Sequence, residues 1–148
     1  MTTVHVANEQ HDMAINSSRI EAIVNALLHL HDVVTDEVCI HFVTPEKIGE
    51  LHEKFFGNPA FTDCISLPID RPDENTYPHV LGECFICPKA ALEYNSKAPL
   101  RELSLYIVHC LLHLLGFDDI EEGDIAEMRR REREAMTHLK KKNLLLDQ

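Results

Sequence analysis

The chain is short of positive charge. Its 148 residues carry 25 acidic against 14 basic side chains, a formal net charge of −11. Such a chain repels phosphate unless its cations are gathered locally, which excludes a broad electrostatic clamp on duplex DNA. Long apolar runs are missing as well. None reaches the ~18–20 residues that cross a bilayer, so no membrane partner is expected. Glycine and proline are few, 5 and 7, which excludes collagen-like and low-complexity chains. With 45% apolar and 26% charged residues, a mostly disordered chain is excluded too. Residues 1–11 lack the charged start and apolar stretch of a signal peptide. The five cysteines are an odd number and lie mostly within apolar runs. They read as free thiols of a cytoplasmic protein. No repeat or linker divides the chain, and its length fits one domain over 1–148 with a core large enough to fold unaided.

What is present is a regular alternation of strand and helix signals. Val4–Ala7 alternates weakly, as a first strand. Ser18 and Glu21 have capping-box spacing ahead of Ile20, Ile23, Val24, Leu27 and Leu28, which predicts a helix over 18–31. Val38, Ile40 and Phe42 alternate as a strand. Thr44-Pro45 opens a second helix that ends at Gly57. Residues 63–69 and 82–87 read as strands separated by a proline-rich loop over 70–79. Short and long helices follow over 88–95 and 100–116, and a charged last helix over 121–142. The order βαβαββααα predicts an α+β (mixed α/β) fold: one small sheet of about four strands covered by about five helices.

Chemistry gathers on the long apolar helix, at His109-Cys-Leu-Leu-His113-Leu-Leu-Gly116-Phe-Asp118-Asp119. Histidines at i and i+4 share one helix face, where both imidazoles can reach one divalent ion. Gly116 suits the left-handed position that ends a helix, after which the chain can double back and bring Asp119 to the same face. Three protein ligands leave one position for water, the pattern of a catalytic rather than structural zinc site. Bound water there would become acidic enough to supply hydroxide at neutral pH. Cys110 stands where zinc proteases carry the glutamate of HExxH, which argues against peptide hydrolysis.

This segment resembles the motif HGxLHLxGyDH of the YbeY family of bacterial endoribonucleases. Thr62-Asp63-Cys-Ile-Ser66-Leu-Pro68 is similar to the family's TDVLSFP strand, and Leu81-Gly82-Glu83-Cys-Phe-Ile-Cys-Pro88 to its LGDIxIxP strand. Leu100-Arg101-Glu102-Leu103 and the Glu127-Met128 helix match further blocks in family order. The resemblance implies a metal-dependent, single-strand-specific endoribonuclease. Its work would be rRNA maturation, at the 16S 3′ end, and ribosome quality control. It implies His109, His113 and Asp119 as ligands of one divalent metal, Zn²⁺ first and Mn²⁺ or Ni²⁺ as alternatives. Asp118 and Gly116 would support them, and single-stranded rRNA and small-subunit ribosomal proteins would be the partners.

Two positions depart from the family pattern. Asp119 stands where the family usually has histidine; a carboxylate still ligates zinc, but it lowers the site's positive charge and favours a harder metal such as Mn²⁺. Phe56 stands where the family commonly has an arginine for catalysis or phosphate binding. Lys54 and Arg101 are the residues left as possible RNA contacts. The departures keep open a ribosome-associated binding factor with weak or no catalysis, and a metal-dependent hydrolase of another substrate. Cys84 and Cys87 have CxxC spacing but would face opposite ways on a strand, so they are expected to be structural. The run Arg129-Arg130-Arg131-Glu132-Arg133 lies in a C-terminal segment, 127–148, with seven Lys or Arg against four acids. It is read either as a solvated helix face or as a contact for rRNA.

Overall fold

Apolar alternation in the strands and 3.6-residue stripes in the helices lay down nine elements, seen in a computed structural model that describes residues 2–59 and 62–148. In chain order they are β1 (Thr3–Asn8), α1 (Ser17–Leu30), β2 (Glu37–Phe42), α2 (Pro45–Phe56), β3 (Cys64–Pro68), β4 (Val80–Ile86), α3 (Pro88–Tyr94), α4 (Pro99–Leu114) and α5 (Glu122–Lys141). The α+β class and the βαβαββααα order are those expected. None of these helices is long and apolar enough to cross a membrane.

Two local expectations need correction. The cap of α1 is Asn16, whose Oδ1 accepts from the Arg19 amide at 3.2 Å, and the helix starts at Ser17. The Ser18–Glu21 pair has capping-box spacing, but asparagine is an equally good cap and lies two residues earlier. Cys87 is not the end of a strand; it caps α3, while β4 begins two residues before Gly82.

The four strands form one sheet in the order β1-β2-β4-β3, with β1, β2 and β4 parallel and β3 antiparallel to β4. Val38, Ile40 and Phe42 of β2 are buried on one face. Their neighbours Cys84 and Ile86 on β4 continue that apolar face, as the register Ile40 to Cys84 and Phe42 to Ile86 requires. The other face is half-open and polar: there His5 pairs with Glu37 and His41 with Glu83. Helix α4 packs on β3 and β4, with α3 and α5 beside it, and α1 packs on β1 and α5. It is the core helix, with nine of its sixteen residues buried.

One glycine sets how closely α4 approaches the sheet. Gly82 has φ +155°, and a Cβ there would lie 2.6 Å from the Leu67 carbonyl oxygen and 2.7 Å from Leu114 Cδ2. Leu114 directly follows His113, so this contact fixes the height of the functional end of α4 above the sheet. The neighbour on one side is backbone and cannot move aside. Gly82→Ala is therefore expected to destabilise the protein by about 2–4 kcal/mol through overpacking and strain. Urea unfolding checks this, and a loss under about 0.5 kcal/mol would contradict the close-approach account.

Candidate metal centre

The site begins with the end of α4. Past Leu114, Gly116 takes φ +102°, its amide donates to the His113 carbonyl, and the Phe117 amide donates to the Leu112 carbonyl. These two bonds are the 5→2 and 6→1 pair of a Schellman turn, which reverses the chain at a left-handed glycine. Arg131 of α5 stacks its guanidinium 5.1 Å from the Phe117 ring centre, which pins the turn. Asp118 Oδ1 then accepts from the Asp119 amide at 2.8 Å. Asp119 is thereby directed back along the face that carries the histidines.

Three atoms meet there. His109 Nε2 and His113 Nε2 are 3.2 Å apart, and Asp119 Oδ2 lies 3.4 Å from the first and 3.5 Å from the second. Ligands about 2.0–2.1 Å from a tetrahedral ion stand roughly 3.3–3.4 Å from one another. The triangle thus has the edge lengths of one face of a metal tetrahedron. It is the one group of three or more His, Cys, Asp or Glu among the described residues with this proximity.

A fourth residue prepares the donor set. Glu132 of α5, only 4% exposed, accepts from His109 Nδ1 at 2.6 Å and from Arg129 Nη1 at 2.6 Å. A carboxylate only accepts here, so Nδ1 carries the proton and Nε2 turns its lone pair toward His113 and Asp119. Burial alone would raise the Glu132 pKa, but the bonds from His109 and Arg129 outweigh it and the carboxyl is held below its ordinary value. Sequence reasoning missed this residue by reading the arginine run as a surface. The signal was spacing: Met128, Glu132, Ala135 and Leu139 are the buried stripe of α5.

Two clefts adjoin the triad. One, of about 590 Å³, runs past Phe56, Ser66, Phe117 and Ile120. The other, of about 700 Å³, is lined by Asp63, Tyr94, Glu102 and Arg129; His109 and Asp119 form part of both walls. Phe56, 56% exposed, does reach the first cleft. Lys54 and Arg101 reach neither: Lys54 lies over the Phe55 ring, and Arg101 bonds Asp147. The arginine run is largely neutralised within its helix, Arg130 and Arg131 pairing with Glu127, and Arg131 also with Glu134. Cys110 turns away from the triad to the Ser66 hydroxyl, 2.9 Å from its sulfur, and burial pushes its thiol up. Cys84 and Cys87 are both buried and free. His79, in the proline-rich loop, is buried against Thr35 and the Arg71 carbonyl and stays clear of both clefts.

With this geometry in hand, the comparisons with known proteins are specific. The family model described as Endoribonuclease YbeY matches residues 5–140. This chain belongs to the YbeY family. Proteins named Endoribonuclease YbeY from Chlamydia pneumoniae and Protochlamydia amoebophila are each 42% identical to it. Each match covers 97% of this chain, and 94% and 97% of the respective relative. The Chlamydia muridarum relative is 40% identical over 97% of this chain and 91% of its own. The solution structure of TM1509 from Thermotoga maritima shares the fold, with a TM-score of 0.58 at 22% identity over 93% of this chain and 89% of that one. YbeY membership makes this an enzyme family of hydrolytic nucleases, and the His-His-Asp group is one that could hold a metal ion.

The Glu132 pair carries a pH signature. Its folded pKa lies below the ordinary 4.5, so its stabilisation is present above about pH 4.5 and is lost as pH falls through the depressed value. In metal-free protein, Glu132→Gln is expected to cost about 1–3 kcal/mol at pH 7. The gap to wild type should narrow as pH falls below about 4.5. Urea melts across that range test it, and curves that stay parallel would show that the pair contributes nothing to acid stability.

Proposed function

We propose that this single-domain chain is a metal-dependent endoribonuclease of the cytoplasm. It would cut single-stranded RNA in rRNA maturation, at the 16S 3′ end, and act in ribosome quality control with small-subunit proteins as neighbours. The family supplies the activity class, an endoribonuclease of rRNA processing. The observation that carries the metal dependence is the triangle of His109 Nε2, His113 Nε2 and Asp119 Oδ2, with edges of 3.2, 3.4 and 3.5 Å.

In this reading His109, His113 and Asp119 hold one divalent cation, Zn²⁺ first, with Mn²⁺ or Ni²⁺ as alternatives. The bound cation supplies Lewis acidity beside a phosphodiester and makes a water acidic enough to be used near neutral pH. Glu132 keeps the His109 lone pair aimed inward, and Asp118 and Gly116 keep Asp119 in range. A carboxylate as third ligand makes the donor set anionic and shifts preference toward harder metals than three imidazoles would. The second reading, a ribosome-associated factor with weak or no catalysis, is favoured by Phe56, an uncharged ring in a cleft that receives a polyanion.

His109→Ala and Asp119→Ala are each expected to lose stoichiometric divalent metal on dialysis and to cut single-stranded RNA at least about a hundredfold more slowly. Asp119→His should retain metal. Metal analysis beside a cleavage assay checks both. A His109→Ala protein with wild-type cleavage sinks the enzyme mechanism; metal-bound wild type without cleavage favours the binding factor.

A further inference from the structure

The acidic surroundings of the triad pose a problem for a polyanionic substrate. Asp63 and Asp118 line the cleft walls beside Asp119, with Glu102 and Glu132 in the second cleft. Of all the described residues lining either cleft, one is Arg or Lys: Arg129. Other cations that sequence reasoning considered are committed elsewhere, Lys54 to Phe55, Arg101 to Asp147, Arg130 to Glu127, and Arg131 to Phe117, Glu127 and Glu134.

Arg129 is built for a second contact. Its Nη1 donates to Glu132 Oε1 at 2.6 Å while its side chain stays 55% exposed. That single bond orients the guanidinium and leaves its remaining N–H donors for another acceptor. Glu132 foremost, and then Asp119 and Asp63, raise its hold on its proton, so the charge lies in the electric field of the triad. Because Glu132 also holds His109, one carboxylate sets the position of both the proposed metal ligand and the cation.

Resting on the endoribonuclease reading, we infer that Arg129 binds a phosphate oxygen of the RNA strand at the triad, in the cleft that Phe56 does not line. A guanidinium suits this task, since it presents paired donors to phosphate and cannot lose its charge. The strand then crosses the site between a cationic wall at Arg129 and an apolar wall at Phe56 and Ile120. A purely structural Arg129 would only shield Glu132.

Glutamine at 129 keeps a donor for Glu132 and removes the charge, which separates the two roles. The test is fluorescence anisotropy of a labelled, 2′-O-methylated single-stranded RNA on the metal-loaded full chain at several salt concentrations. Metal analysis and cleavage of unmodified RNA accompany it. Arg129→Gln is expected to weaken binding about tenfold and to lower the salt slope by about 0.7, the value of one phosphate contact on a single strand. Metal stoichiometry should be unchanged. Arg129→Lys should restore the slope, and Arg71→Gln, at a loop outside both clefts, should match wild type. Unchanged affinity and slope in Arg129→Gln overturn the inference, as does weaker binding that merely follows lost metal. Wild type that neither binds nor cuts RNA overturns the endoribonuclease reading and this inference together.

Discussion

The hydrogen bond from His109 to the buried Glu132 is the constraint on which the site depends. It joins the two helices that meet at the triad, α4 and α5, across 23 residues of sequence. It also fixes which ring nitrogen carries the proton. An imidazole free to flip or change tautomer would offer a donor and an acceptor in turn; this one offers a lone pair, in one direction. Burying a carboxylate is costly unless it is fully engaged, and here both oxygens are used, one by His109 and one by Arg129. The same side chain thus orders a ligand on one side and a cation on the other.

The remaining geometry follows from how α4 is stopped and how closely it lies on the sheet. The Schellman turn at Gly116 is held by backbone bonds and by Arg131 against Phe117. The Asp118 carboxylate holds the amide of Asp119. Gly82 lets Leu114 come down onto β3 and β4. Each of these is local, and together they hold three donor atoms near tetrahedral spacing before any ion arrives. A preorganised donor set gains affinity because little ordering remains to be done on binding.

Much of this was legible in the sequence, and the reasons differ by element. Strand alternation at Val38, Ile40 and Phe42 and the apolar continuity of 100–116 report burial directly. The element order and the four-stranded, five-helix architecture therefore came through. The His109, His113 and Asp119 grouping was legible because helical periodicity and a terminating glycine dictate proximity. Asn16 was overlooked because several residues near a helix start can cap it. Glu132 was hidden by its neighbours: four arginines in a row of five suggest solvent, while the buried stripe through Met128, Ala135 and Leu139 says otherwise. The placement of Arg129 against the triad, and of Arg101 and Lys54 away from it, depends on how α5 and α2 pack, which local pattern does not encode.

The net charge of −11 takes on a different meaning in this frame. Most of the arginines of α5 are spent on acids of the same helix. In the proposed reading, attraction would be concentrated at a cation held by His109, His113 and Asp119, with Arg129 beside it. The central claim is therefore the identity of that coordination sphere. X-ray absorption spectroscopy of the zinc-loaded full chain tests it most directly. The account predicts four nitrogen or oxygen neighbours at about 2.0–2.1 Å, two of them imidazoles, and no sulfur. A sulfur shell at about 2.3 Å, from the buried thiols near Cys110, would contradict it.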